Sequence, residues 1–369
     1  MEPLKNMYTR QVITDLATDL QKAYPAFETQ AFVASVMDET WESLELKARM
    51  RQITLRLGEY LPSDYPQAIA IIDQAIATQG DWLQSFCLYF PDFVEVFGQS
   101  PEHWDISIDA LGRYTRHASA EFAVRPFIIA HEERMMAQML AWSQSACEDQ
   151  RRLASEGCRP ALPWGQALVK YKKDPTPILP ILENLKNDPS LFVRKSVANN
   201  LNDISKTHPD LVLEIAKRWH GQTAHTDWVV KHGLRTLLKK GNTQALAIFG
   251  YAGSDSLSVS DFQLESAQVS IGESLQFSFV LSATADTKAR LEYAVDYMKA
   301  NGKHNRKVFK ISEIPLSAGQ SKTYTKQHHL ADLSTRKHYA GEHRVTLIVN
   351  GVEQGTLSFE LTAATEPTS

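Results

Sequence analysis

Up to about residue 250, apolar residues recur at the spacing of amphipathic helices. In one stretch Phe127, Ile128, Met135, Met136 and Met139 return at intervals that place them on one helix face. The alternation of apolar and polar residues that marks strands is nearly absent from this region. Prolines punctuate it and are expected near helix ends, at Pro62, Pro91, Pro101 and Pro163. The region is therefore predicted to be all-α.

Two segments of this region begin alike. Residues 188–201, DPSLFVRKSVANNL, place a capping Asp and a Pro before an apolar stripe, and residues 227–232, DWVVKH, repeat this start. Val193 and Val230 are 37 residues apart, and periods near 40 residues are typical of stacked helix pairs. A weaker copy begins at Glu121. The pattern predicts a solenoid of HEAT-like repeats over residues 1–253.

After residue 253 the period of the apolar residues becomes two, which indicates strands. Asn350 and Gly351, between the last two alternating runs, are a strong signal for a β-hairpin. About 110 residues of short strands fit an immunoglobulin-like sandwich, predicted over residues 257–364, with a frayed tail at residues 365–369. The chain is thus expected to be multidomain, with an all-α part followed by an all-β part. The alternating runs are residues 275–281, 291–297, 345–349 and 357–361.

The distribution of charge adds to this picture more than the total does. The 369 residues are 43% hydrophobic and 22% charged, with a formal net charge of -4. Residues 1–150 contain 11 Lys and Arg against 22 Asp and Glu, whereas residues 151–240 contain 16 against 8. A surface that follows a phosphate backbone requires such a local excess of cations. A solvated helix face is the alternative explanation.

Some of these cations occupy matching positions of the repeats. Arg194 and Lys195 stand on one repeat, and Lys231 and His232 stand on the next. Because equivalent positions of successive helices form the concave face of a solenoid, these residues are candidates for the lining of one basic groove. Pairing with an Asp of the neighbouring repeat explains them equally well, and the sequence leaves both explanations open.

Other features indicate an intracellular protein without a cofactor. Acidic residues occur where a signal peptide would be apolar, and no stretch approaches the length of a membrane span. Cys87, Cys147 and Cys158 form no CxxC pair, which suits a reducing compartment and argues against a zinc site. The motifs of nucleotide-binding proteins, zinc proteases and serine hydrolases are absent. We expect a soluble cytoplasmic monomer with no metal and no cofactor, in which the pair His328 and His329 lies in a loop.

The most unusual segment is RRLASEGCRPALPW at residues 151–164. On a helix Arg152 and Glu156 share a face, and a Pro-containing turn after Gly157 would present Trp164. Carboxylates in a basic groove would stabilise the oxocarbenium-like sugar that forms when an N-glycosidic bond breaks. An exposed ion pair beside a core tryptophan is the structural alternative. Two more acids, Glu121 and Asp203 on neighbouring repeats, join this site only if the fold brings them together.

Two motifs resemble those of the alkylpurine DNA glycosylases of the AlkC and AlkD superfamily, in the AlkC branch. They are residues 151–164 and the segment WVVKHGLRTLLKKG at residues 228–241. The C-terminal sandwich resembles the immunoglobulin-like domain of one AlkC subset. The resemblance implies a monofunctional glycosylase of base excision repair that binds double-stranded DNA and hydrolyses the glycosidic bond of cationic N3-methyladenine and N3-methylcytosine, without base flipping. A non-catalytic repeat scaffold that binds DNA or a partner protein is the alternative.

The site residues expected on these grounds fall into two groups. The catalytic group is Glu156, Glu121, Asp203 and Trp164. The DNA-binding group is Arg152, Arg159, Arg194, Lys195, Lys231, His232, Arg235 and Lys239. In the sandwich, the locally basic residues 303–310 either close over the DNA or form a solubilising loop.

Overall fold

The structure is a computed structural model of the chain. It divides into two compact units. It describes residues 3–78, 80–84, 87–251, 254–332 and 337–363. One unit comprises Met1–Thr207 and Gly221–Gly233, and the other comprises His208–His220 and Leu234–Ser369. The domain boundaries predicted from the sequence stay predictions, and the predicted frayed tail lies outside the described residues.

The described residues of the first unit form helices joined by turns and loops, and no strand is found among them. Its helices begin where the sequence supplies caps: the Thr9 side chain accepts from the Val12 amide, and Asp64 accepts from the Gln67 amide. The α-helices are α1 Arg10–Ala23, α2 Thr29–Val36, α3 Leu46–Tyr60, α4 Tyr65–Ala77, α5 Tyr89–Phe97, α6 Trp104–Tyr114, α7 Val124–Ala130, α8 Glu132–Trp142, α9 Glu148–Gly157, α10 Val169–Lys173, α11 Leu179–Leu185, α12 Leu191–Ile204 and α14 Ala224–Gly233.

Helix α12 packs between α9 and α14, as stacked repeat helices do. Val193 of α12 and Val230 of α14, the residues that defined the predicted repeat, are both buried. Gly233 allows the close approach, since a Cβ there would lie 3.1 Å from the Leu201 Cβ. The predicted helical repeat is confirmed.

The predicted cap of α12 is wrong. The helix begins at Leu191 after Ser190, so Asp188 and Pro189 precede it. The Asp188 carboxylate instead binds the Arg151 guanidinium, with its Oδ2 2.7 Å from Nε. Arg151 is thus one basic residue that pairs with the aspartate of the following repeat.

The described residues of the second unit form two sheets and three α-helices. The helices are α13 Pro209–Trp219, α15 Arg235–Lys239 and α16 Thr243–Ile248, and the strands are β1 Leu257–Leu264, β2 Gln268–Ser270, β3 Ser274–Ala283, β4 Thr287–Met298, β5 His304–Leu316, β6 Ser321–His329, β7 Gly341–Val349 and β8 Val352–Thr362. One sheet has the order β1-β3-β6 and the other β2-β8-β7-β4-β5. Their apolar residues form one core, in which Phe277, Val295 and Leu347 are buried.

The β7–β8 connection is the two-residue hairpin predicted from the sequence. Val349 pairs with Val352, and Asn350 and Gly351 both have positive φ, at 48° and 78°. The Asn350 side chain joins the turn to β4, because its Oδ1 accepts from the Arg290 amide at 2.8 Å. The predicted all-β part of the chain is therefore confirmed by the eight described strands that follow α16.

Two expectations about this unit need correction. His328 and His329 lie in β6 rather than in a loop. His328 is buried, with its ring nitrogens 2.8 Å from the Tyr293 hydroxyl and 2.6 Å from the Tyr297 hydroxyl, so core contacts explain it. Of the basic residues 303–310, which could have formed a solubilising loop, residues 304–310 lie in the first half of the edge strand β5. In the described chain no helix has the length and apolarity needed to span a membrane.

Candidate active site

The first unit contains a cavity of about 500 Å³ that opens to solvent. Its wall includes Glu121, Arg152, Glu156, Arg159 and Trp164, so the structure brings together five of the residues singled out in the sequence. Asp203 is not among the lining residues. The cavity therefore combines two of the predicted acids with the predicted tryptophan.

Helix α9 supplies the central carboxylate because its apolar face is closely packed. Leu153 and Ala154 are fully buried, and a Cβ at Gly157 would lie 2.6 Å from a Val124 methyl and 2.8 Å from the Met139 methyl. This contact orients the adjoining face of the helix, with Arg152 and Glu156, toward the cavity. Glu156, in the last turn, is only 5% exposed.

Arg152 connects two of the predicted acids. Its Nη1 lies 2.5 Å from Glu121 Oε2, and its Nη2 lies 3.7 Å from Glu156 Oε1. Glu121 was expected at the start of a helix, but it lies in the turn three residues before α7 begins. Its carboxylate also accepts a 2.8 Å hydrogen bond from the Ser119 hydroxyl. Arg152 and Glu156 are close together, as their spacing predicts. They are not the exposed ion pair of the structural alternative, because Glu156 is buried.

Arg159 connects Glu156 to Asp203. Its Nη1 donates to Glu156 Oε1 at 2.5 Å, and its Nε donates to Asp203 Oδ2 at 2.9 Å. Burial acts to lower the pKa of Arg159, but Glu156 and Asp203 outweigh it, so the pKa is raised and the guanidinium stays charged. Lys206 completes the series, with its Nζ 2.9 Å from Asp203 Oδ1. The three acids thus alternate with three cations along one continuous network.

Trp164 stands at the third position of a tight turn. Pro163 precedes it, and the Gly165 amide donates to the Leu162 carbonyl at 3.2 Å. Trp164 has φ 62°, so the turn has the features of a type II turn with a tryptophan where glycine is usual. The side chain is 70% exposed, which rejects the alternative of a core tryptophan.

Several lining residues had no signal in the sequence. Phe192, at the start of α12, lies under the Arg152 guanidinium, 4.9 Å from the ring centroid. Lys47 of α3 donates to the Trp164 carbonyl at 3.0 Å and lies 4.7 Å from the centroid of the Phe122 ring. Lys47 and Trp164 are 117 positions apart, so only the fold could reveal this contact.

The other predicted DNA-binding residues lie elsewhere on the molecule. Arg194 donates to the backbone carbonyls of Asp188 and Pro189, at 2.6 and 2.8 Å. Lys195 is exposed, as is Lys231. His232 stacks on Trp228 with the ring centroids 4.9 Å apart. None of these four residues lines the cavity.

The second unit has a cleft of its own, of about 880 Å³. Its cationic lining residues are Arg235, Lys239, Lys240, Arg306 and Lys307, and its acidic ones are Glu292 and Glu353. The turn that follows α15 lies close to the β7–β8 hairpin at this cleft, since a Cβ on Gly351 would be 2.7 Å from the Gly241 Cα. The basic residues of α15 and β5 therefore share one surface.

Metal chemistry has no candidate cluster in the described part of the chain, where no three His, Cys, Asp or Glu side chains are grouped to hold an ion. The three cysteines are free thiols, and burial raises the pKa of Cys158 to about 12. What the cavity offers chemically is fixed negative charge, held by arginines, beside an exposed aromatic ring.

Comparison with known proteins gives matches along the whole chain. Residues 115–237 match the family described as DNA alkylation repair enzyme, and residues 258–363 match the C-terminal Ig-like domain of the uncharacterised protein YhaZ. The chain is 47% identical to the uncharacterised protein YhaZ of Bacillus subtilis (strain 168), over 98% of this chain and 100% of that protein.

A solved structure is similar over the same length. The alkylpurine DNA glycosylase AlkC of Pseudomonas fluorescens, solved bound to DNA containing an abasic site analogue, aligns with a TM-score of 0.92 and 37% identity. The alignment covers 98% of this chain and 100% of that one. The predicted architecture, HEAT-like repeats followed by an immunoglobulin-like domain, is confirmed. The chain belongs to the AlkC branch of the DNA alkylation repair enzyme family.

Proposed function

We propose that this protein is a DNA glycosylase that removes cationic alkylated bases, N3-methyladenine and N3-methylcytosine, from double-stranded DNA. The observation that supports this most is the placement of Glu121 and Glu156 in the wall of one open cavity, beside the exposed ring of Trp164. The similarity to AlkC over the whole chain supports the same reaction class.

The proposed reaction requires little of the protein besides electrostatics. The C1′–N bond breaks with its electron pair going to the cationic base, which leaves neutral, so no acid is needed at the base. The sugar becomes an oxocarbenium ion, and the Glu156 carboxylate stabilises it; two unit charges 4 Å apart attract by about 4 kcal/mol at an effective dielectric of 20. Water then adds to C1′ and gives its proton to a carboxylate.

Arg152 and Arg159 act on this site through Glu156. Both guanidinium groups lie against the same carboxylate oxygen, Oε1, Arg159 at 2.5 Å and Arg152 at 3.7 Å, so this oxygen is held before substrate arrives. A preorganised charge needs no reorganisation as the sugar becomes positive. Asp203, which lies behind Arg159 rather than in the wall, contributes by holding Arg159 in place.

The open cavity also fits a lesion that stays in the base stack. Trp164 is exposed at the wall, where its ring can pack against the sugar of the damaged nucleotide. A deep, closed pocket would instead require the base to be flipped out of the duplex. The proposal therefore includes bond cleavage without base flipping.

DNA binding is proposed to use cationic surfaces of both units. In the second unit, the five cationic lining residues of its cleft outnumber the two acidic ones. Such a surface would bind phosphates and release counterions, which makes affinity sensitive to salt. Lys195, Lys231 and His232 of the first unit remain predicted phosphate contacts. Monomeric assembly also remains a prediction.

The proposal is tested by incubating the protein with methylated double-stranded DNA. We expect N3-methyladenine and N3-methylcytosine among the released bases, measured by chromatography, and abasic sites in strands that break only after alkali. Strand cleavage without alkali would contradict monofunctional hydrolysis. Salt-sensitive DNA binding with no base release would instead support the non-catalytic scaffold. Unmethylated DNA of the same sequence is the control.

A further inference from the structure

Lys47 is a charged lining residue of the cavity that comes from a distant part of the chain. It belongs to α3, outside residues 115–237 that match the DNA alkylation repair family. Its Nζ donates to the Trp164 carbonyl at 3.0 Å and lies 4.7 Å from the centre of the Phe122 ring. One ammonium therefore touches the residue next to Glu121 and the turn that presents the indole.

The Trp164 turn is a segment that needs such a contact. A residue with a Cβ rarely adopts φ near 62°, and that conformation persists only where the surroundings impose it. On the side of the turn that faces the protein interior, the buried Arg125 donates to the Gln166 carbonyl at 2.5 Å and to the Gly157 carbonyl at 2.9 Å. On the exposed side, the Lys47 ammonium donates to the Trp164 carbonyl.

We infer that Lys47 is a positioning residue: its ammonium fixes the strained Trp164 turn and so keeps the indole at the carboxylate cavity. The inference rests on the proposed function, because the indole matters only if the cavity acts on DNA. A charged donor suits this task, since a hydrogen bond from an ammonium to a carbonyl is stronger than one between neutral groups. The face of Phe122 gives the same ammonium a second attractive contact.

A lysine that only binds a DNA phosphate predicts something different. Removing it would weaken DNA affinity and reduce the dependence of affinity on salt, whether or not Trp164 is present. A positioning lysine instead affects the bond-breaking step, and its effect requires the indole. Single-turnover rates at saturating enzyme separate the two, because binding does not limit them.

The first test is a double-mutant cycle on base release. We expect Lys47→Met to lower the single-turnover rate roughly tenfold, since small misplacements of a positioned group are costly. In the Trp164→Ala background, Lys47→Met should cause almost no further loss. Lys173→Met, which removes an exposed lysine of the same unit outside the cavity wall, is the control. An unchanged rate in Lys47→Met, a full additional loss in the double variant, or a loss of affinity alone would overturn the inference.

The second test does not depend on activity. Amide hydrogen exchange of residues 162–166 reports the hydrogen bond from Gly165 to Leu162 that closes the turn. We expect faster exchange in Lys47→Met and wild-type exchange in Lys173→Met; equal exchange in all three proteins would overturn the inference. If wild-type protein releases no base, the proposed function fails, whereas the exchange measurement still decides whether Lys47 fixes the turn.

Discussion

Glu156→Gln is expected to lower the single-turnover rate of base release by at least about a hundredfold, because it removes the negative charge that faces the positive sugar. The amide keeps the shape of the carboxylate and one oxygen for Arg159. The fold should survive, since Arg152 retains Glu121 and Arg159 retains Asp203. The rate is measured on methylated DNA with enzyme in excess.

A matched control removes a carboxylate of the same unit that lies outside the cavity wall. Glu132 is bound to Lys170, and Glu132→Gln should leave base release within about twofold of the wild type, because screened surface charges contribute little at a distance. If Glu156→Gln behaves like Glu132→Gln, the carboxylate of Glu156 is not the stabilising group.

Arg159→Met is expected to lower the free energy of unfolding of the helical unit by about 3 kcal/mol, because two buried carboxylates lose the guanidinium that they share. Glu156 and Asp203 are each 5% exposed. Glu156 would keep only the longer contact to Arg152, at 3.7 Å, and Asp203 only that to Lys206. Base release should fall as well, since Glu156 is no longer fixed.

Urea unfolding followed by circular dichroism measures this cost, with the helical and strand-bearing units fitted as separate transitions where they separate. Arg152→Met is the comparison, and a smaller loss of about 1 kcal/mol is expected. Arg152 is partly exposed, and Glu121 keeps its hydrogen bond from Ser119. A loss in Arg159→Met no larger than in Arg152→Met would show that the network does not depend on Arg159.

Most of the architecture follows from local patterns in the sequence. The 3.6-residue period predicts the helices, and the two-residue period predicts strands such as β3 and β8. Asn350 and Gly351 predict their hairpin because few other residue pairs adopt positive φ at both positions. Helix starts are less certain, since the carboxylate expected to cap α12 has a stronger partner in Arg151.

Only part of the site can be predicted from the sequence, because many of its contacts join elements that are distant in the chain. Arg152 and Glu156 share a helix face and could be paired by spacing. No spacing rule shows that Arg159 lies between Glu156 and Asp203, or that Lys47 reaches the Trp164 turn. Burial is similarly hidden: a scattered histidine such as His328 is a core residue because two tyrosine hydroxyls happen to face it.

The most direct test of the central claim, that this cavity stabilises positive charge on the sugar, is a comparison of two abasic-site analogues in DNA. One duplex contains a pyrrolidine, which is cationic at neutral pH, and the other contains a neutral tetrahydrofuran. We predict that the protein binds the pyrrolidine duplex at least about tenfold more tightly and that Glu156→Gln removes this preference. Equal affinity for the two duplexes, or a preference that persists in Glu156→Gln, would contradict the claim.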